Sequence, residues 1–179
     1  QLVVTGAHGK TTVSALLAHC MIECGFDISF AVGGLCPNLD RYGRISSGEY
    51  FVIEGDESDG SHLKTNPYAA ILTSADVDHL AYWKEGKNLI ASYEKFGRKI
   101  LDSDKFIYNG EDEEIKKMSL KGRTFGHGNS FDYYPEDVRL DYLESKFTIK
   151  GKEATFPMFG DYNIQNAVSV FALMDSIGV

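Results

Sequence analysis

Residues 1–12 read QLVVTGAHGKTT, an apolar segment followed by a loop that contains glycine, lysine and threonine. The aliphatic residues 2–4 are typical of a buried strand, and Gly6 and Gly9 permit a tight turn and a close approach of the backbone to a ligand. From Thr11 onward the apolar residues recur at helical spacing. A strand, a glycine turn and the start of a helix gather free backbone N–H groups around one point, which is how the phosphates of a nucleotide are held.

The side chains of this loop also suit phosphate binding. Lys10 is expected to reach the terminal phosphates, and the hydroxyl of Thr11 is expected to bind Mg²⁺. A helix N-terminus contributes only about 1–2 kcal/mol, so that a triphosphate needs both the lysine and a metal ion. The spacing G-x-x-G-K-T is two residues shorter than the usual phosphate-loop motif, and the alternative is an ordinary glycine turn before a helix. We expect the nucleotide to be held by Gly6, Ala7, His8, Gly9, Lys10, Thr11 and Thr12.

The composition excludes several classes of partner. The chain has 179 residues, of which 43% are hydrophobic and 25% charged, as in ordinary globular proteins. A net charge of −8 and a sequence pI of about 5.1 leave no basic surface for nucleic acid. No apolar run has membrane-spanning length, and the first residues do not show the basic-then-apolar pattern typical of a signal sequence. We therefore expect a cytoplasmic protein without nucleic-acid or membrane partners, whose cysteines, Cys20, Cys24 and Cys36, are small buried thiols.

Beyond the loop, predicted strands alternate with predicted helices. Apolar segments predict strands at 29–34, 50–53, 68–73, 106–108 and 123–125, and apolar periodicity predicts helices at 11–24, 85–101, 111–118 and 163–177. This alternation is typical of a parallel sheet that is covered on both faces. From about residue 131 apolar and polar residues alternate, which predicts antiparallel strands. The fold class is therefore α/β, with a mostly parallel sheet flanked by helices, a phosphate loop and a small antiparallel β appendage.

Three of the predicted strands end in unusual polar segments, at 5–11, 54–59 and 74–79. Ligands of such sheets bind at the carboxyl ends of the strands, so we expect the three segments to converge on one crevice. Glu54 directly follows a buried strand, and a carboxylate at that position is costly to desolvate unless a partner such as Mg²⁺ balances it. Glu54 is therefore predicted to bind the metal ion.

The other acids of the second segment, Asp56, Glu57 and Asp59, are expected to cap the loop or to support the metal ligand from behind. The alternative for the whole segment is a solvated acidic loop, which is what most charge runs are.

Two further groups are candidates for the same crevice. His79 follows a buried strand with Asp78 beside it, and it is suited equally to binding a second metal ion and to orienting a substrate. Asn163 and Asn166 lie three positions apart, on one face near the start of the last helix. Two amides in that position could contact the base or ribose of a nucleotide, whereas simple N-capping is the interpretation that spacing alone favours.

Taken together, these motifs resemble those of the central ATP-binding domain of the Mur ligase family, over nearly the whole chain. The segment TGAHGKTT resembles the family's T-G-T-x-G-K-T, with Ala7 in place of a threonine, and the Asp-His pair at 78–79 matches a family motif. GDYNIQN at 160–166 resembles G-x-H-N-x-x-N, with Tyr162 in place of the histidine. EGDESD at 54–59 looks like the E-A-D-E-S-D of the branch that adds L-alanine.

The resemblance implies ATP-driven formation of an amide bond in peptidoglycan precursor synthesis. A substrate carboxylate would attack the γ-phosphate, and the incoming amine would displace the acyl phosphate. The implied substrates are ATP, UDP-N-acetylmuramate and L-alanine, with Mg²⁺ as cofactor. The implied site residues are Lys10 and His79 for catalysis, Thr11, Glu54 and His79 for metal ions, and residues 6–12 with Asn163 and Asn166 for the nucleotide.

The family also has an N-terminal domain that binds the UDP-sugar and a C-terminal domain that closes over ATP. Neither is expected within residues 1–179, which we interpret as the central domain alone, inactive by itself. Glu94 stands where several branches carry a carbamylated lysine, so no such modification is expected. The alternatives are a murein-peptide recycling or pseudomurein ligase of the same family and, from other classes, a P-loop kinase or ATPase without acyl transfer or a binding module that retains the fold.

Overall fold

The computed structural model describes residues 1–76 and 80–179. Within these ranges the first sheet contains β1 (Leu2–Thr5), β2 (Ile28–Ala31), β3 (Gly43–Arg44), β4 (Tyr50–Gly55), β5 (Ala69–Leu72), β6 (Phe106–Asn109) and β7 (Arg123–Phe125), and the second contains β8 (Glu136–Leu140), β9 (Ser145–Ile149) and β10 (Lys152–Phe156). The α-helices are α1 (Lys10–Glu23), α2 (Leu80–Trp83), α3 (Gly86–Gly97) and α4 (Asp161–Ser176). None of the helices in the described part of the chain has the length and apolar character needed to cross a membrane.

The strands of the large sheet follow the order β3-β2-β4-β1-β5-β6-β7. Neighbouring strands pair in parallel, except that β3 runs antiparallel to β2. This arrangement confirms the predicted α/β class. It places β1 between β4 and β5, so that the three strands that end in polar segments are immediate neighbours.

The apolar character of β1 follows from burial on both faces of the sheet. Leu2 and Val4 belong to the hydrophobic core that includes buried residues of α1 and α4, whereas Val3 belongs to the core that includes residues of α3. All three side chains are fully buried. Because burial of each such side chain stabilises the fold by about 1.5–3 kcal/mol, both faces select for aliphatic residues and the strand shows no alternation.

The predicted β appendage is the three-stranded antiparallel sheet, in the order β10-β9-β8. In β9 the side chains alternate, and Phe147 and Ile149 are buried in the same core as α1 and α4. All residues of β8 are exposed. The appendage therefore contributes one strand face to the core.

The expectation of buried cysteines was wrong, because Cys24 is exposed and Cys20 and Cys36 are only partly buried. Two predictions of secondary structure were also wrong. The segment 111–118, predicted as a helix, contains only a 3₁₀ turn at Ile115–Lys117. The side chain of Asp112 accepts hydrogen bonds from the backbone N–H groups of Glu114 and Ile115, and Met118 is already extended, so the segment is a capped single turn. The short strand β3, which lies in a segment that was expected to be a loop, pairs with the edge of β2.

Candidate active site

The polar segments at the ends of β1, β4 and β5 lie side by side. The register pairs Val4 with Glu54 across β1 and β4, and Thr5 with Leu72 across β1 and β5. The three strands therefore end at the same level, which is the convergence expected from the topology. The third segment is described as far as residue 76, and Asp78 and His79 lie outside the described residues.

The loop between β1 and α1 is attached to the end of β5. The backbone N–H of Ala7 donates to the carbonyl of Ser74 at 3.1 Å, and the N–H of His8 donates to the Ser74 hydroxyl at 2.9 Å. The Thr73 hydroxyl donates to the carbonyl of His8 at 2.5 Å. The imidazole of His8 pairs with Asp76 at 2.8 Å, with both side chains more than half exposed. These contacts hold the loop in one conformation above the sheet.

Gly6 and Gly9 are required by this conformation. Their φ angles are +131° and +83°, values that other residues rarely adopt. A Cβ atom at Gly6 would lie 2.3 Å from the Thr73 hydroxyl and 2.8 Å from the backbone of Ser74. A Cβ atom at Gly9 would lie 2.6 Å from the hydroxyl of Tyr162 on α4. The loop is therefore packed on both sides, against β5 and against α4.

Lys10, the first residue of α1, turns back over the loop. Its ammonium donates to the carbonyls of Gly6 at 2.7 Å and Ala7 at 3.3 Å. It also pairs with the carboxylate of Glu57 at 2.8 Å, and the Lys10 and Glu57 side chains are only 14% and 1% exposed. The cation thus lies at the centre of the loop, where a nucleotide's terminal phosphates are expected.

Thr11 and Glu54, the two residues that the sequence predicts as metal ligands in this part of the site, lie next to each other. The Thr11 hydroxyl lies 3.1 Å from both carboxylate oxygens of Glu54, and the N–H of Gly33 donates to one of these oxygens at 2.9 Å. Among the described residues, no group of three or more His, Cys, Asp or Glu side chains could hold a metal ion by itself. Mg²⁺ typically binds proteins through one or two oxygen ligands together with substrate phosphates and water. The hydroxyl and carboxylate therefore fit a magnesium ion that arrives with a nucleotide.

The acids that follow Glu54 divide into two kinds. Asp56 accepts hydrogen bonds from the N–H and hydroxyl of Ser58, and Asp59 accepts one from the N–H of Ser61, so both cap their own turns as expected. Hydrogen bonds from Ser61 hold the pKa of Asp59 below its ordinary value. Glu57 instead is fully buried and contacts Lys10. The sequence did not predict this contact.

The start of α4 supplies buried amides beside the loop. The predicted N-capping by asparagine is wrong, because the helix begins after Gly160 without a side-chain cap and the Asn163 amide donates to the carbonyl of Phe159. Gln165 and Asn166 are 7% and 5% exposed. Within the described part of the chain, both polar atoms of the Gln165 side chain and the Asn166 amide nitrogen have no hydrogen-bond partner. A buried polar group without a hydrogen-bond partner lowers the stability of a fold by about 1–3 kcal/mol. The unpartnered atoms therefore indicate that a polar ligand or water binds here.

These amides line a cavity of about 240 Å³ together with Thr73, Asn109 and His127. Asn166 also lies against the loop, since its amide oxygen would be 3.1 Å from a Cβ atom at Gly9. The cavity therefore shares Asn166 with the surroundings of Gly9 and is lined by hydrogen-bonding groups, as a site for the base or ribose of a nucleotide requires.

His127 closes this cavity between two carboxylates. Its two ring nitrogens lie 2.5 Å from carboxylate oxygens of Glu111 and Asp161. Burial alone would lower the pKa of His127, but the hydrogen bond to Glu111 and the charges of Asp161 and Glu111 outweigh burial, so the pKa rises above 6.5. Burial would likewise raise the pKa of Glu111, but the hydrogen bonds from His127 outweigh it and the pKa falls below 4.5.

These shifts predict a pH-dependent stability. Folding raises the pKa of His127. Its contribution to the stability of the fold is therefore complete below pH 6.5 and is lost as the pH rises through the pKa of the folded state. Folding lowers the pKa of Glu111. Its contribution to the stability of the fold is therefore present above pH 4.5 and is lost as the pH falls through the pKa of the folded state. His127→Gln should flatten the decline of the melting temperature as the pH rises above about 6.5, by a few degrees at most because the cluster is partly exposed.

Thermal melts of the wild type and the variant across this range measure the effect. The matched control is His19→Gln, on α1, where the Glu23 carboxylate is 4.0 Å away. It should keep the wild-type profile. Parallel profiles for the wild type and His127→Gln would contradict the assignment of the cluster as an ion pair.

Comparison with known proteins identifies the family. Residues 4–174 match the family model described as the Mur ligase middle domain. The chain belongs to the Mur ligase family. This match confirms the family that was predicted from the loop, the acidic segment and the start of α4. The match extends from β1 into α4, so this Mur ligase domain includes every described segment of the candidate site.

Two curated relatives are named UDP-N-acetylmuramate–L-alanine ligase. The protein from Protochlamydia amoebophila is 35% identical over 99% of this chain, and that from Carboxydothermus hydrogenoformans is 33% identical over 99%. A solved UDP-N-acetylmuramate–alanine ligase from Thermotoga maritima is 28% identical, with a TM-score of 0.86 over 99% of this chain and 41% of its own. This Mur ligase domain spans about 40% of the length of the two curated relatives.

Proposed function

We propose that this Mur ligase domain is the ATP-binding part of an enzyme that joins L-alanine to UDP-N-acetylmuramate in the cytoplasm, with ATP and Mg²⁺. The observation that carries the proposal is the meeting of Lys10, Thr11 and Glu54 at the ends of β1 and β4. The curated relatives with that name, at 33–35% identity, support the choice of substrates. Because the chain spans only about 40% of those relatives, we expect ligation to require the rest of the enzyme.

The loop would bind the triphosphate of ATP. Backbone N–H groups at the start of α1 face the phosphates, and the Lys10 ammonium neutralises charge at the terminal phosphate. Thr11 and Glu54 would hold Mg²⁺, which supplies further charge neutralisation when it is bound. Asn166 and Gln165 would satisfy their amides on the base or ribose, with Asn163 near the same end of α4. His79 stays a prediction for a second metal ion.

In the proposed reaction, a carboxylate oxygen of UDP-N-acetylmuramate attacks the γ-phosphorus of ATP, and ADP leaves. The amine of L-alanine then attacks the acyl carbon, loses a proton and displaces inorganic phosphate, which leaves an amide bond. Phosphoryl transfer needs positioning and charge neutralisation more than covalent help. Lys10 and the backbone of the loop would provide both, and they would hold the γ-phosphate in line with the attacking carboxylate.

The test is ADP release by the full-length protein. We expect release to require UDP-N-acetylmuramate together with an amino acid, and L-alanine to be preferred to glycine and L-serine by about tenfold or more, as one methyl or hydroxyl group allows. Turnover with a free murein tripeptide but not with L-alanine would instead indicate a recycling ligase. Release of ADP without any carboxylate substrate would indicate an ATPase or kinase.

A further inference from the structure

Glu57 is held at the phosphate loop by its backbone as well as by its side chain. Its carbonyl accepts hydrogen bonds from the indole N–H of Trp83 at 2.8 Å and from the N–H of Gly60 at 3.2 Å. Its carboxylate is 1% exposed and lies 2.8 Å from the Lys10 ammonium. The residue therefore has a fixed position beneath the loop.

The surroundings of Glu57 make its charge costly to leave unbalanced. Tyr93, which is fully buried, lies close enough that burial and then the Glu57 charge raise the pKa of its phenol. Trp83 and His62 lie on the same side of the sheet, and the His62 ring is tilted against the rings of Trp83 and Tyr93, with centroid separations of 6.1 and 5.6 Å. In such an environment a carboxylate that loses a cationic partner is strongly destabilised.

Within the described residues, the Lys10 ammonium makes three polar contacts. They are the carboxylate of Glu57 and the carbonyls of Gly6 and Ala7. A lysine ammonium has three N–H donors, so a phosphate oxygen must replace at least one of these acceptors. The two carbonyls are neutral, and their loss costs much less than separation of the buried ion pair.

We propose that Glu57 is a positioning residue that keeps the Lys10 ammonium anchored while phosphate oxygens replace the carbonyls of Gly6 and Ala7. The proposal rests on the proposed function, because it concerns the phosphate that Lys10 contacts. Glu57 itself does not touch the nucleotide. Its negative charge partly offsets the attraction of Lys10 for bound phosphate, and its fixed position directs the ammonium at the transferring group.

The first test compares Glu57→Gln with the wild type in the full-length protein. The affinity for ATP should stay the same or rise up to about threefold, because a negative charge near the phosphates is removed. The value of kcat should fall about tenfold or more, because Lys10 loses its anchor. The control is Asp59→Asn, an exposed cap of the same loop, which should change neither quantity.

A lower kcat with an unchanged or higher affinity for ATP would distinguish a positioning role of Glu57 from a merely structural one. A parallel fall of affinity and kcat, accompanied by a lower melting temperature, would overturn the proposal. Unchanged affinity together with unchanged kcat would also overturn it.

A double-mutant cycle tests the ion pair without turnover. Lys10→Ala should lower the melting temperature, and the addition of Glu57→Gln should recover at least about half of the loss, because the double variant no longer buries a separated charge. Additive losses would overturn the proposal. If the wild type fails to join L-alanine to UDP-N-acetylmuramate, the proposed function fails, and the cycle still decides whether Glu57 anchors Lys10.

Discussion

Lys10→Ala is expected to abolish measurable ATP binding, with a dissociation constant at least about 100-fold higher than that of the wild type, or about 2.7 kcal/mol. The N-terminus of α1 supplies only about 1–2 kcal/mol, and the Lys10 ammonium, placed over Gly6 by a 2.7 Å hydrogen bond, is the loop's own cation. Isothermal titration with ATP and Mg²⁺ measures the loss.

The control for this substitution is Lys64→Ala, an exposed lysine at the end of the 3₁₀ turn that follows the acidic segment. It should bind ATP as the wild type does. Circular dichroism must show that Lys10→Ala is folded, because the variant removes a partner of the buried Glu57. Undiminished ATP affinity in a folded Lys10→Ala protein would refute the assignment of residues 6–12 as the phosphate loop.

Glu54→Gln is expected to reduce kcat by about 100-fold or more, since a bound metal ion supplies several kcal/mol of charge stabilisation. Glutamine keeps the shape of the side chain and can still accept a hydrogen bond from the N–H of Gly33, so that the loss reports the charge. The Mg²⁺ concentration needed for half-maximal ADP release should rise as well. Titration of ADP release with Mg²⁺ measures both effects.

Asp56→Asn is the matched control for Glu54→Gln, because Asp56 lies two positions further along and caps Ser58. It should keep the magnesium requirement of the wild type. The metal assignment is wrong if Glu54→Gln shows that same requirement.

The sequence was sufficient for the central part of the fold because several signals agreed there. Residues 2–4 are aliphatic because both faces of β1 are buried, and Gly6 and Gly9 occupy positions where a Cβ atom would collide with Thr73 or Tyr162. The same logic placed Glu54 beside Thr11, since neighbouring parallel strands end at one edge of the sheet.

The sequence was insufficient where the outcome depends on tertiary contacts. Asp56, Glu57 and Asp59 are equivalent in local pattern, and only the turn of the chain after β4 decides that Glu57 points inward to Lys10. The amides of α4 suited capping by their spacing, but Gly160 occupies the capping position. At 111–118, Asp112 caps the start of a single turn, and the extended Met118 ends that turn within the segment predicted as a helix.

The most direct measurement is a crystal structure of the protein with a nonhydrolysable ATP analogue and Mg²⁺. We predict phosphate density over residues 6–12, with the terminal phosphate in contact with the Lys10 ammonium and the metal ion between Thr11 and Glu54. Density for the triphosphate at any other place on the protein, with this loop empty, would contradict the account.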